Sequence, residues 1–271
     1  MTLHVSCAAD DAYAPHAAAT LHSVLAHRGS LSLHVHFLAD ERLGSDRRGA
    51  LRDMVESHGG RIDFLDAPPE LASLPSDERF TSAIWHRIFL PDLIPGLDRV
   101  LYLDADVIAC GDLRPLWSID LEGHWVGAAN NIFQPDHRRR PTNLGLASRK
   151  DYFNSGVLLM NLAEMRRDGK TAELLELVSA RGREFDWPDQ DALNVGLGAR
   201  RLRLHPRWNA MNALWQPWSR GQLSPIAHWR AKRNPALRHF EGPGANKPWH
   251  PDCREPLRDL YDVHRRAAGL G

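Results

Sequence analysis

The chain predicts an α/β fold, a mixed and mostly parallel sheet flanked by helices. Two observations carry this. Strand-like and helix-like segments alternate from Leu3 to Leu65, the pattern that builds parallel sheets with helices on their faces. Acidic residues then sit where such sheets bind ligands, beyond the carboxyl ends of strands: Asp10 after the first, Asp104 and Asp106 after a later one.

The elements follow in order. Leu3 to Ala9 reads as a short buried strand ending at Asp10-Asp11. From Tyr13 to His27, Ala17, Ala18, Leu21, Val24 and Leu25 recur at helical spacing, and Gly29 stops the run. Leu31 to Leu38 alternates as a strand with one wetter face. Gly44 to His58 is a second helix closed by Gly59-Gly60, and Arg61 to Leu65 a third strand. Pro68 to Asp77 is a proline-bearing loop, followed by a helix from Ser82 to Leu90. The apolar run Arg99 to Ile108, Trp125 to Ala129 and Phe153 to Met160 are further strands. Asn130 to Asp151 is a polar loop long enough to suggest function. A helix is expected from Ala163 to Arg181 and a shorter one after Trp187-Pro188, with Asp189 as its N-cap. From Arg203 to Trp249 periodicity weakens, giving a small irregular C-terminal region. No repeat or linker divides the chain, so 1–271 reads as a single domain.

Composition excludes several classes. Hydrophobic residues make 43% of the chain, as in ordinary globular proteins. Lys+Arg and Asp+Glu each total 34, so no overall field recruits nucleic acid. Arg138-Arg139-Arg140, the densest basic run, reads as a solvated loop. Cys7, Cys110 and Cys253 lack the spacing of a disulfide framework or a zinc-thiolate site. No signal-peptide pattern or membrane-length apolar run is seen, so a cytoplasmic location is expected.

The chemistry centres on Leu101-Tyr102-Leu103-Asp104-Ala105-Asp106. Side chains at i and i+2 share one side of an extended chain, so Asp104 and Asp106 converge. Two carboxylates meeting at the end of an apolar strand are costly unless a cation lies between them. A divalent metal with oxygen ligands fits; the plainer alternative is an Asp-rich turn. His239, followed by Gly242, Gly244 and Lys247, offers a nitrogen ligand with a phosphate-binding lysine nearby. Mixed Asp/Asp/His ligation suits Mn2+ somewhat better than Mg2+.

Several further blocks occur in one order: Ala8 to Tyr13, Trp85-His86-Arg87, Leu101 to Asp106, Tyr152 to Leu162, Asp189 to Asn194, and Lys247 to His250. Together they resemble glycosyltransferase family 8, in its bacterial lipopolysaccharide galactosyl- and glucosyltransferase branch. The resemblance implies a GT-A fold, a UDP-sugar donor, Mn2+ (or Mg2+) and retention of anomeric configuration. It implies that Asp104, Asp106 and His239 bind metal. Asp10 and Tyr13 correspond to uracil contacts. Arg87 and Asn154 correspond to ribose or sugar contacts, and Lys247 to the diphosphate lysine. Ala105 and Gly244 complete the donor set. Asp189 resembles a residue on the sugar hydroxyls, and Gln190 the one beneath the anomeric carbon. A nucleotide-sugar part over about 1–130, an acceptor part over about 131–255 and a C-terminal helix to 271 are implied as well. The implied partners are a UDP-hexose and a glycan or glycolipid acceptor, with peripheral attachment to the inner membrane face left open.

The chain departs from the family pattern in places. Ala12 replaces a common asparagine, and Asn131 an acceptor-side aspartate of some relatives. Two extra residues separate His239 from Lys247, implying a longer loop, and the basic tail of some relatives is absent. Trp208, Trp215 and Trp218 are candidates for stacking on acceptor sugars, or for packing a small subdomain. The expected reaction is transfer of galactose or glucose from a UDP-sugar to an acceptor hydroxyl. Because Gln190 is an amide and a poor nucleophile, front-face attack is favoured over a glycosyl-enzyme on Asp189 or Asp191. The alternatives are a haloacid-dehalogenase-type phosphatase with Asp104 as nucleophile, and a nucleotide-sugar-binding module without turnover.

Overall fold

The computed structural model describes residues 1–75 and 82–270. Strands β1 (Thr2–Ala9), β2 (Ser32–Ala39), β3 (Gly60–Asp66) and β4 (Arg99–Leu103) are followed by β5 (Val107–Ala109), β6 (Val126–Ala129) and β7 (Val157–Asn161). Then come β8 (Arg201–Leu204), β9 (Ala210–Met211) and β10 (Leu237–His239). A seven-stranded sheet runs β3-β2-β1-β4-β7-β6-β8, and a small sheet runs β5-β10-β9. In the large sheet only β7 runs against its neighbours.

Helices α1 (Ala14–His27), α2 (Ser45–Ser57), α3 (Leu90–Leu93), α4 (Arg114–Trp117) and α5 (Arg140–Asn143) precede α6 (Leu162–Arg167) and α7 (Lys170–Arg181). The last three are α8 (Pro188–Leu197), α9 (Pro225–Arg233) and α10 (Arg258–Ala268). Among the described residues no helix is long and apolar enough to cross a membrane. Period-two alternation sorts the strand residues onto two faces. Leu101 and Leu103 join Leu3, Val5 and Val35 in a core with α1 and α2, whereas Val100 and Tyr102 join Leu158, Leu174 and Ala192 on the other side. Helix α1 forms from alanines that lose no side-chain freedom, with Pro15 in its first turn. Gly29, at φ +62°, turns the chain into β2.

Several expected elements differ. The helix expected over Ala163 to Arg181 breaks at Asp168-Gly169 into α6 and α7, because Gly169 takes φ +63°, outside helical geometry. Asp189 lies inside the first turn of α8, and the N-cap is Trp187. The alternation of β2 fails at His36, which is only 5% exposed. Ser82–Phe89 is a 3-10 helix leading into α3, since Pro91 fits the first turn of a new α-helix. The loop after β3 contains a 3-10 turn at Pro69–Ser73, and its end at 76–77 lies outside the described residues. The strand expected from Phe153 begins at Val157, with only a single bridge from Phe153 to Asn130 before it.

Candidate donor and metal site

The site lies at a corner between the two sheets. After β4 the chain makes one turn through Asp104-Ala105-Asp106 and continues as β5 in the small sheet. Two antiparallel registers deliver its partners. Leu103 pairs with Val157, and the Asp104 amide donates to the Gly156 carbonyl at 2.9 Å, which sets Asn154-Ser155-Gly156 beside the acids. His239 pairs with Val107, and the Phe240 amide donates to the Asp106 carbonyl at 3.0 Å, which brings the imidazole onto the same point. His239 Nε2 stands 3.3 Å from Asp106 Oδ1 and 3.9 Å from Asp104 Oδ2.

A chain of amides decides which His239 nitrogen faces the acids. The backbone N–H of Ser155 donates to Gln190 Oε1 at 3.0 Å, and that of Gly156 to Asn154 Oδ1 at 3.1 Å. Backbone donors fix those two atoms as acceptors. Asn154 Nδ2 therefore donates to Gln190 Oε1 at 2.9 Å, and Asn209 Nδ2 to Asn154 Oδ1 at 2.8 Å. Asn209 Oδ1 is left to accept from His239 Nδ1–H at 3.0 Å. Nε2 is then the nitrogen that exchanges a proton for a metal ion, and it points at both carboxylates.

These residues fit a dication. Asp106 Oδ1 is buried and makes no hydrogen bond among the described residues. A Cβ built on Gly156 would come within 2.3 Å of His239 Cε1 and 2.8 Å of Asp104 Oδ2, so only glycine admits this approach. Burial opposes the charge of Asp106, but Lys247 and His239 override it and hold the carboxyl far below its usual range. Burial likewise opposes protonation of His239, yet Asp106 keeps its pKa above normal. Two oxygen donors and one imidazole suit a hard-to-borderline ion such as Mn2+.

The other expected residues distribute around this point. Lys247 Nζ is ion-paired with Asp106 Oδ2, so the longer loop after His239 does not carry the lysine away from the metal ligands. Arg87, 6% exposed, spans Asp104 Oδ1 at 3.0 Å and Asp189 Oδ2 at 3.4 Å, and donates to the Ser155 carbonyl at 2.9 Å. Tyr102 OH also donates to Asp104 Oδ1, at 3.0 Å. Ser155 Oγ donates to Asp189 Oδ2 at 3.1 Å. Burial raises the Asp189 pKa, Arg87 working against it. Gln190 Nε2 donates to Tyr152 OH at 3.2 Å, so both ends of its amide are tied. Asp10, past the end of β1, accepts the Tyr13 amide at 2.9 Å and pairs with Arg42 at 3.2 Å. Tyr13 stays 44% exposed, edge-on to Trp249 at 5.7 Å, and Lys247 Nζ lies 5.7 Å from the same Trp249 ring. Ala105 is buried between the acids. Gly244 (φ +61°) is exposed on the loop that carries Lys247, and its carbonyl accepts from the Lys247 backbone amide at 2.9 Å.

One expectation needs correction, and two points the sequence left open are narrowed. Arg140 belongs to no solvated run: it is buried and paired with Asp191 and Asp186. Asp191, fully buried, also accepts from Tyr152 OH at 2.5 Å and the Trp187 amide at 3.1 Å, so it is enclosed in a structural network. Trp208, 6% exposed, is core and presents no stacking face. Trp215 and Trp218 pack around a satellite core with Met211 and Leu214. Sequence reasoning did not single out Tyr102, Ser155, Gly156 or Asn209. The first three lie inside quoted blocks; Asn209 sits in an aperiodic stretch that gives no local signal.

The chain is similar to several known proteins. A model described as glycosyl transferase family 8 matches residues 4–253. The chain is 27% identical over 266 residues to general stress protein A of Bacillus subtilis (strain 168), covering 96% of this chain and 91% of that protein. It is 29% identical over 234 residues to lipopolysaccharide glucosyltransferase WaaO of Escherichia coli (strain K12), covering 84% of this chain and 67% of that one. Among solved structures, galactosyltransferase LgtC in complex with donor and acceptor sugar analogs superposes with a TM-score of 0.80 at 28% identity. That match covers 98% of this chain and 96% of LgtC.

Proposed function

The chain belongs to glycosyltransferase family 8, and we propose that it moves a hexose, galactose or glucose, from a UDP-sugar to a hydroxyl of a glycan or lipopolysaccharide-type acceptor with retention. The enzyme is a glycosyltransferase of GT-A fold. The observation carrying the finer reading is the convergence of Asp104, Asp106 and His239 beside Lys247. In this reading Asp104, Asp106 and His239 hold Mn2+ or Mg2+, which would supply a counter-charge for the diphosphate.

The chain's own residues account for the remaining work. Lys247 supplies a cation for the departing diphosphate. Asp10 and Tyr13 meet the uracil, Tyr13 by its exposed ring. Arg87 and Asn154 hold ribose or sugar, with Ala105 and Gly244 lining the donor path. Asp189, backed by Arg87 and Ser155, takes sugar hydroxyls. Gln190 Oε1 already accepts two hydrogen bonds, which reduces its nucleophilicity and favours front-face attack through a short-lived ion pair, its carbonyl stabilising the ring charge. The division into a donor part over about 1–130, an acceptor part over about 131–255 and a closing helix belongs to the same proposal.

A cytoplasmic enzyme meeting an anionic glycolipid at a membrane face is the partner reading we adopt. Between Asp191 and Glu241 the sequence holds no acidic residue, while Arg200, Arg207, Arg220, Arg230, Lys232 and Arg233 are among its cations. On α9, Ile226 and Trp229 are 67% and 63% exposed.

A panel of UDP-sugars with Mn2+, scored for transfer, donor hydrolysis and UDP-dependent thermal stabilisation, tests the reading. Asp104→Asn is expected to lose at least ~100-fold in rate while the far-UV circular dichroism stays unchanged. Chelation of the metal should act the same way and be reversed by Mn2+. A fully active Asp104→Asn enzyme, or UDP and Mn2+ that do not stabilise the protein, would end the proposal. Binding without hydrolysis or transfer would favour the non-catalytic module.

A further inference from the structure

A second cluster of potential ligands lies at the opposite end of the large sheet, where β1 and β2 begin. His4 pairs in register with His34, and Ser6 with His36, so the three imidazoles project from one side of two adjacent strands. The rings converge, with centroids 4.2 Å apart for His34 and His36, 5.3 Å for His4 and His36, and 5.4 Å for His4 and His34. One nitrogen from each lies within 4.8 Å of the others. His4 Nδ1 and His36 Nε2 are 3.0 Å apart, near the edge of about 3.4 Å that two nitrogens span on a zinc tetrahedron with bonds of about 2.1 Å.

The surroundings have the chemistry of a metal site. Asp63, opposite His36 on β3, accepts from His34 Nε2 at 2.7 Å, the outer carboxylate that commonly orients a metal-bound imidazole through its far nitrogen. His36 is 5% exposed, and its Nδ1 has no hydrogen-bond partner among the described residues; neither has the buried Oγ of Ser6 at the paired position. Arg61 reaches Asp63 at 3.1 Å but is largely exposed, so water screens its charge.

We propose that His4, His34 and His36 form a second metal site, selective for a nitrogen-seeking dication such as Zn2+, Co2+ or Ni2+, that staples β1 to β2. An H-x-H pair on one strand with a third histidine on its neighbour gives three nitrogens and leaves a fourth position for water. An all-imidazole set disfavours Mn2+ and Mg2+, which suit the oxygen-rich site at the other end of the sheet. The site stands apart from the transfer chemistry.

The test uses the full chain with Asp104→Asn and Asp106→Asn, which disables the other cluster, dialysed against Zn2+ and analysed for metal. About one zinc per chain is expected, with a rise in thermal midpoint on loading. Co2+ should give the intense visible bands of tetrahedral nitrogen ligation. Adding His4→Gln and His34→Gln should weaken binding at least ~100-fold and remove the thermal rise. In the otherwise native chain, the same pair should leave Mn2+-supported donor hydrolysis unchanged, which also reports correct folding. His34→Gln alone, at a half-buried ring, serves if the double variant does not fold. Absence of zinc from the Asp104→Asn/Asp106→Asn protein, or zinc retained after the histidines are replaced, would overturn the proposal.

Discussion

Asn209 is placed outside the ligand set, yet it decides which nitrogen of His239 is available. Its oxygen holds Nδ1–H, and its own orientation is fixed through Asn154 by backbone donors on Ser155 and Gly156. Asn209→Ala should therefore weaken Mn2+ binding by about 10–100-fold, as loss of outer-shell partners commonly does. Asn209→Asp, which keeps an acceptor for Nδ1–H, should recover part of it; Mn2+ titration by calorimetry reads both. Gly156 is the sharper case. Gly156→Ala drives a methyl into buried His239 and Asp104, so metal binding and transfer should fall at least ~100-fold, and the overpacking should also lower stability by about 1–3 kcal/mol. Metal titration alongside thermal unfolding separates the two effects.

Helices and strands explain why some of this could be read in advance and some could not. Local periodicity located β1, α1, α2 and β4, because each buries a regular apolar stripe. It also singled out Asp104 and Asp106, although they converge through a turn between β4 and β5 and not, as expected, along one extended strand from Arg99 to Ile108. The joining of α6 and α7 was misjudged because Leu162, Met165, Leu174 and Val178 all face one core, so the apolar pattern runs through the break. Gly169 was the clue. A Cβ there would meet nothing within 4 Å, so Gly169→Ala isolates the cost of its positive φ. A loss of about 1–2 kcal/mol is expected, measured by urea unfolding. Asn209 and Arg140 escaped for another reason: their partners lie 30 and 51 residues away, and no local pattern encodes such pairings.

The packing of the whole molecule also sets its response to acid. His86 is 1% exposed, and both its ring nitrogens lack partners among the described residues. Burial lowers its pKa to about 4, Asp40 pulling weakly the other way. Unfolding restores a value near 6.5, so between about pH 6.5 and 4 the unfolded chain binds a proton that the folded one refuses. Stability thus falls as pH drops through that window, by up to about 2 kcal/mol at pH 5 from this residue. His86→Leu should reduce the loss between pH 7 and pH 5 by about that share, as urea unfolding at the two pH values would report. Elsewhere the C-terminal part packs on α1: Tyr261 of α10 bonds His16 at 2.6 Å, and Trp249 stacks on His16 with ring centroids 3.6 Å apart.

The turn through Asp104-Ala105-Asp106 has one more consequence. It is the seam between two pleated layers, stitched by the amide of Asp104 on one side and that of Phe240 on the other. Neither layer can breathe without prising the acids from their imidazole. Loosening that begins far away, in either half of the protein, is thereby felt at this seam as a weakened grip on whatever is held there.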